Sequence, residues 1–182
     1  MRILAIDPGT TESGYAVIDQ ATCKPIDVGK ISNDQLLDRL CEWLNGGEGD
    51  IDNVSIEMIK SYGMPVGAEV FETCVWIGRF LQTVDSFGAF GLPCELIYRA
   101  DVKLHHCHTT KAKDSNISQA LVDRFASGVP NHGKGTIDAP GWFYGFKADI
   151  WQAYALAVYT ADTTTVDVPA GAARDAREVA TA

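Results

Sequence analysis

Apolar residues come first in short clusters and later at helical spacing. Met1 to Ile6 is an apolar run that stops at Asp7, and the turn residues Pro8, Gly9, Thr10 and Thr11 follow. Gly14 to Ile18 (GYAVI) and Pro25 to Ile31 are two further β-rich runs separated by turn residues. Three such runs in succession predict an antiparallel meander. The period then changes. Leu36, Leu37, Leu40, Cys41 and Leu44 recur at helical intervals, which predicts a helix capped by Asn33 or Asp34, running to about Asn45 and ended by Gly46 and Gly47. Val54 to Met58 (VSIEM) predicts a fourth strand, and Ser61 to Gly67 a loop.

A long helix is expected from Ala68 to Phe87. Its apolar set is Val70, Phe71, Cys74, Val75, Ile77, Phe80, Leu81 and Val84, a broad stripe for one surface. Pro93 to Tyr98 (PCELIY) predicts a fifth strand. Ser115 to Phe125 predicts a helix capped by Asp114 or Ser115, with Ile117, Ala120, Leu121 and Phe125 inward. Pro130 to Gly145 is rich in glycine and proline and reads as a loop; Asp149 to Tyr159 reads as an alanine-rich last helix. The expected order is β-β-β-α-β-α-β-α-α. It implies an α/β architecture, a mixed five-stranded sheet with helices on both faces. Residues 1–161 form one expected domain, and 162–182, where composition shifts to Thr, Asp, Ala and Arg, an expected mobile tail. No internal repeat is visible.

With 182 residues the chain suits one domain that buries a substantial core. No apolar run reaches the roughly 20 residues needed to span a bilayer. Asp7 interrupts the N-terminal apolar run, which is poor for a signal peptide, so a cytoplasmic protein is expected. The five cysteines include no CxxC pair, which argues against a disulfide framework or zinc ribbon; most should be small buried hydrophobes. The cluster His105, His106, Cys107, His108 reads as a polar loop, because no second ligand cluster with zinc spacing accompanies it. A formal net charge of -9 argues against nucleic-acid binding through overall charge. The stretch from Arg99 to Lys113 is nonetheless basic, carrying Arg99, Lys103, Lys111 and Lys113 against Asp101. One such strip on an acidic protein suffices to engage phosphates.

The acids that carry chemistry sit where elements end. Asp7 closes the first apolar run at a turn, where its side chain is expected to be exposed. Glu57 alternates with the apolar Ile56 and Met58 in VSIEM. Carboxylates at the ends of neighbouring strands converge, and converging carboxylates repel one another, which raises a proton affinity or recruits a cation. Hard oxygen ligands favour Mg²⁺ or Mn²⁺. Asp149, at the start of the last helix, is the third candidate; a structural role at the positive helix end is its alternative. Phosphodiester hydrolysis uses such an acidic set with two metal ions per site.

In order along the chain, ILAIDPGTTESGYAVID, VSIEM and DIWQAYALAVY resemble the three acidic segments of RuvC-type Holliday-junction resolvases, members of the RNase H-like superfamily. The resemblance covers about residues 1–160. Val102-Lys103 and KAKDSNISQAL resemble the family's basic segment, while FETCVWIGRF and PGWFYGFKADIW are similar to phage-borne relatives. The resemblance implies a Mg²⁺- or Mn²⁺-dependent endonuclease that acts as a homodimer on four-way junctions and makes paired nicks. It implies metal binding by Asp7, Glu57 and Asp149. The family's last helix carries a second acid one turn on; here Gln152 stands in that place, a weak neutral ligand, and Asp138 is a possible substitute acid. The long helix from Ala68 serves core and dimer contact in this reading. Tyr62 and Met64, just past Glu57, are candidates to lean on bases near the crossover, and Lys103, Lys111 and Lys113 to hold phosphates.

Two other functions fit parts of the pattern. The Asp-Pro-Gly-Thr-Thr turn also looks like the phosphate loop of actin-like and sugar-kinase ATPases, but those need two such domains. A noncatalytic junction-binding protein on the same fold is the other, with Gln152 as the mark of a lost site.

Overall fold

A computed structural model describes residues 1–45, 51–61, 63, 65–88 and 91–164. Strands β1 (Arg2–Asp7), β2 (Glu12–Asp19) and β3 (Pro25–Ser32) form the expected antiparallel meander. Helix α1 (Asn33–Leu44) leads to β4 (Asn53–Met58), which lies parallel to β1. Helix α2 (Ala68–Phe87) leads to β5 (Cys94–Tyr98), parallel to β4. Helices α3 (Arg99–Cys107), α4 (Asp114–Phe125) and α5 (Ala148–Thr163) complete the chain, with a 3₁₀ turn at Pro130–Gly133. The sheet order is β3-β2-β1-β4-β5.

Alternation along the strands divides the core in two. Leu4, Ile6, Val17, Val54 and Ile56 face α1 and α2, where they meet Leu36, Leu40, Ile77, Phe80 and Val84. Ile3, Ala5, Ala16 and Ile18 face the other way, against Val102, Ile117, Leu121 and the alanines of α5. Helices therefore cover both faces, as the pattern predicts. Asp7 and Glu57 share parity with Ala5 and Ser55, so they belong to the α5 face. Ala153, Ala155 and Ala157 are fully buried; these small side chains let α5 lie close on the sheet.

Several expectations are corrected. Arg99–Cys107 is a helix, and His105 to Cys107 form its last turn rather than a polar loop. The helix has no side-chain cap and buries only Val102, so neither a cap signal nor an apolar stripe marks it in the sequence. Ser32 caps α1, exchanging bonds with Gln35, in place of Asn33 or Asp34. Helix α4 begins at Asp114 with Lys113 in the cap position, and α5 continues four residues past Tyr159. The apolar set of α2 splits. Ile77, Phe80 and Val84 are buried, whereas Phe71 and Val75 are 63% and 62% exposed, so the stripe covers two surfaces. Of the five free cysteines only Cys23 is buried. Most of the expected tail, residues 165–182, lies outside the described residues. No helix among the described residues is long and apolar enough to cross a membrane.

Candidate active site

The register brings the acids together. Asp7 ends β1, and Ile6 pairs with Ile56 of β4, so Glu57 follows beside Asp7 on the same face. On its other side Asp7 is paired with Gly14 of β2. A Cβ on Gly14 would stand 2.7 Å from the Asp149 carbonyl oxygen, so the first turn of α5 rests directly on that strand. Glycine is required there because backbone meets backbone. Asp7, Glu57 and Asp149, which are 142 positions apart at their extremes, thus converge on one sheet end.

A buried hydrogen-bond network fixes the turn beyond Asp7. The Ser13 hydroxyl donates to Asn33 Oδ1 at 2.6 Å, and Asn33 Nδ2 donates to the Gly9 carbonyl at 3.0 Å. The Gly9 amide in turn donates to Ser13 Oγ. A Cβ at Gly9 would lie 2.3 Å from the Glu12 carbonyl oxygen, so only glycine fits the turn. Asn33, read in the sequence as a helix cap, is a brace for the site instead.

Asp7 was expected to be exposed, but it is largely surrounded by protein. Burial, then repulsion from Glu57, with further repulsion from Asp149 and Asp114, pushes its pKa up to about 8, against a smaller lowering by Arg99. Burial also raises the Glu57 pKa, and Arg99 partly offsets this. Asp7 therefore stands in a site deficient in positive charge, where a cation is favoured.

Two protein cations already hold the other acids. Arg99 Nη1 stands 2.8 Å from Glu57 Oε2, and Arg99 Nη2 stands 2.9 Å from Asp114 Oδ1. Lys30 Nζ lies 2.7 Å from Asp149 Oδ2 and 3.6 Å from Glu12. The Asp149 bond first, with its charge, raises the Lys30 pKa. With Asp149 turned to Lys30 and Glu57 to Arg99, no three His, Cys, Asp or Glu among the described residues form a ready metal-ligand set. The donor types nonetheless suit a hard divalent ion, since Asp7 and Glu57 are neighbours by register and Asp149 lies one strand away. Gln152, one turn along α5 from Asp149, is 8% exposed, and its Oε1 has no hydrogen-bond partner. A buried oxygen of this kind can take a water or an ion as its partner. Ser55 Oγ, beside Ala5 in the row below Asp7 and Glu57, is another, as are Gln20 Oε1 and Asn53 Oδ1 at the opposite end of the sheet.

The remaining candidates divide. Lys103 points to Asp114 at 3.7 Å, while Lys111 and Lys113 are exposed between α3 and α4. Tyr62 and Met64 lie outside the described residues. Asp138 is exposed in a small loop bridged between Gly135 and Pro140, and the extra acid that acts on Asp7 and Glu57 is Asp114. Sequence reasoning missed Asp114, Arg99 and Lys30 as site residues. Asp114 was read only as a helix cap, Arg99 only as part of a basic strip, and nothing in the sequence links Lys30 of β3 to Asp149.

No protein-family model matches the chain, and no curated protein matches it in sequence. Solved structures do match. The chain is similar to the Thermus thermophilus RuvC structure with a TM-score of 0.62 at 17% identity, over 88% of this chain and 93% of that one. It is similar to T. thermophilus RuvC in complex with Holliday junction substrate with a TM-score of 0.59 at 16% identity, over 88% and 92% of the two chains. At such identities the likeness shows the fold, an RNase H-like α/β fold with a mixed five-stranded sheet.

Proposed function

We propose that this chain is a metal-dependent endodeoxyribonuclease that resolves four-way DNA junctions by paired nicks. The observation that carries the reading is the meeting of Asp7, Glu57 and Asp149 at one sheet end, with the Asp7 proton affinity raised by its neighbours. The fold shared with a RuvC that is seen in complex with Holliday junction substrate supports the substrate class. Asp7 and Glu57, joined by Asp149 after it leaves Lys30, would hold Mg²⁺ or Mn²⁺, two ions per site, with Gln152 as a weak neutral oxygen. When bound, these ions supply an activated water and offset the charge of the leaving oxygen. The protein's part is to hold the acids in register, through the parallel pairing of β1 with β4 and the seat of α5 on Gly14.

Lys111 and Lys113, exposed where α3 meets α4, fit contacts to the DNA backbone, and Tyr62 and Met64 remain our candidates for the crossover bases. A homodimer fits the two-fold character of a four-way junction. Support comes from α2, where exposed Phe71 and Val75 stand on one face, beside a concavity of about 400 Å³ lined by Leu37, Val75, Gly78 and Arg79. The phrases FETCVWIGRF and PGWFYGFKADIW favour the phage-borne branch, acting in the host cytoplasm.

The test is incubation of the protein with a labelled four-way junction and with linear duplex, in Mg²⁺, in Mn²⁺ and in chelator. Paired nicks near the crossover that need the metal are expected. Equal cutting of linear duplex would remove the junction specificity. Junction binding without cutting in either metal would favour the noncatalytic reading, which the neutral Gln152 and the occupied Glu57 and Asp149 carboxylates support.

A further inference from the structure

Arg99 is the first residue of α3, directly after β5, and Met58 of β4 pairs with Tyr98 of β5. The end of β5 therefore carries the Arg99 guanidinium to Glu57. The guanidinium is forked between two acids of unlike setting. Glu57, on one side, has a side chain only 16% exposed; Asp114, on the other, is 57% exposed. Lys103, one turn along α3, stands 3.7 Å from the same Asp114 oxygen that Arg99 contacts. Asp114 thus gathers two cations at the surface, whereas Glu57 has Arg99 in the interior. Burial tends to lower the Arg99 proton affinity, and Glu57 and Asp114 outweigh it, so the group stays charged.

The fork has a consequence for Glu57. The oxygen that Arg99 holds is one that a metal ligand would have to offer. A divalent ion and an arginine N–H compete for that oxygen. Asp7, Glu57 and Asp149 sum to three negative charges when ionised, and Arg99 with Lys30 returns two. Lys30 is at the surface and strongly hydrated, so its exchange is easy. Arg99 is planar, desolvated and fixed at both nitrogens, so its displacement is the costly one.

We propose that Arg99 is the internal counter-ion of this site: it competes with the incoming divalent ion for Glu57, is retained by Asp114 when that ion arrives, and then offers its released Nη1 to a phosphate oxygen of the DNA strand. The inference rests on the metal-nuclease reading above. Arg99 thereby touches the substrate itself, with Asp114 as its anchor. The fork geometry of a guanidinium suits a phosphate as it suits a carboxylate.

Two readouts that move in opposite directions test this. Mn²⁺ binding without DNA is measured by calorimetry on the full chain, for the wild type and for Arg99→Gln, Arg99→Lys and Asp114→Asn. Junction nicking is measured at saturating Mn²⁺. Arg99→Gln is expected to bind Mn²⁺ about tenfold more tightly and to nick about tenfold more slowly. Arg99→Lys, which keeps the charge without the fork, is expected to stay near wild type in Mn²⁺ affinity and to nick slowly. Asp114→Asn removes the anchor and is expected to weaken Mn²⁺ binding. A purely structural Arg99 would lower binding and nicking together, and circular dichroism melts identify a variant that fails to fold. Unchanged or weaker Mn²⁺ binding in a folded Arg99→Gln overturns the inference and leaves the nuclease reading standing. Absence of Mn²⁺ binding in the wild type overturns both.

Discussion

The two ends of α5 each bring an acid to basic residues of other elements, and the clusters they complete differ in charge balance. At the C-terminal end Asp162 accepts two bonds from Arg124, at 2.6 and 2.9 Å, and stands 2.8 Å from His105 Nε2. Burial there works to raise the Asp162 pKa, and Arg124 and His105 outweigh it, so the carboxyl is held below its ordinary value. At the N-terminal end the acids outnumber the cations, and Asp7 is driven upward to about 8. Acids gathered at the two ends of one helix give a satisfied cluster at one end and an unsatisfied one at the other. The satisfied end is an ion cluster whose charges are met within the protein. The unsatisfied end stores a demand for positive charge, which is the electrostatic mark of a site that binds something.

The strongest way to break the comparison is to neutralise Asp7. Asp7→Asn is expected to reduce metal-dependent nicking by about a hundredfold or more, measured on the labelled junction. The same variant tests the electrostatics in thermal melts without divalent ions. The folded Asp7 binds its proton up to about 8, against 3.8 for an ordinary carboxyl. The folded state thus holds more protons than the unfolded state across that window, and stability falls as pH rises through it. Asp7→Asn removes this slope, so the variant should melt above wild type at pH 8 and near it at pH 4. A parallel response of the two proteins would refute the raised proton affinity.

Gly14→Val keeps every charge and moves only the seat of α5. Its Cβ would meet the Asp149 backbone at 2.7 Å. Overpacking should cost about 1–3 kcal/mol, and nicking should fall about a hundredfold because the acids shift by a fraction of an ångström or more. Full activity with native stability would show that α5 does not position the site.

The opposite limb of the pH response belongs to the other end. His106 donates from Nε2 to the Ala155 carbonyl at 2.9 Å, and burial lowers its pKa to about 4 from 6.5. The unfolded state takes up the proton first as pH falls, so stability declines from 6.5 toward 4. His106→Leu should flatten that acid limb in melts across pH 4 to 7, and an unchanged limb would assign it to other groups. The smallest effect is expected from Asp162→Asn, about 1 kcal/mol in chemical denaturation, because the cluster remains partly solvated. Nicking should be unaltered; a large loss would erase the distinction between the two ends.

The strands and most helices were legible because each face of the sheet repeats an apolar period. VSIEM and the run before Asp7 announce both a strand and the acid at its end. Helix α3 was not legible, since a nine-residue helix that buries only Val102 leaves no stripe to read. Asn33 shows a different limit. As a residue type it fits a cap, and only the folded chain shows that its carboxamide spans Ser13 and Gly9. Asp7, Glu57 and Asp149 were found through local patterns, each at an element boundary. Arg99, Asp114 and Lys30 depend on partners 15 to 119 positions away, a relation that no local pattern encodes. The split of the α2 stripe was likewise hidden, because exposed Phe71 and buried Phe80 look alike in a list of apolar positions.

The seat of Asp149 beside Gly14 also orders events in time. Strands β1 to β3 pair with their neighbours in the chain, and Asp7 ends the first of them. The second layer of the core needs α5, whose alanines close it. At roughly 5–20 residues per second of synthesis, about seven to thirty seconds separate the emergence of Asp7 from that of Asp149. During that interval the Ala5 and Ala16 face lacks the α5 alanines, and the acidic cluster lacks Asp149. One helix therefore completes both the second core layer and the acidic cluster.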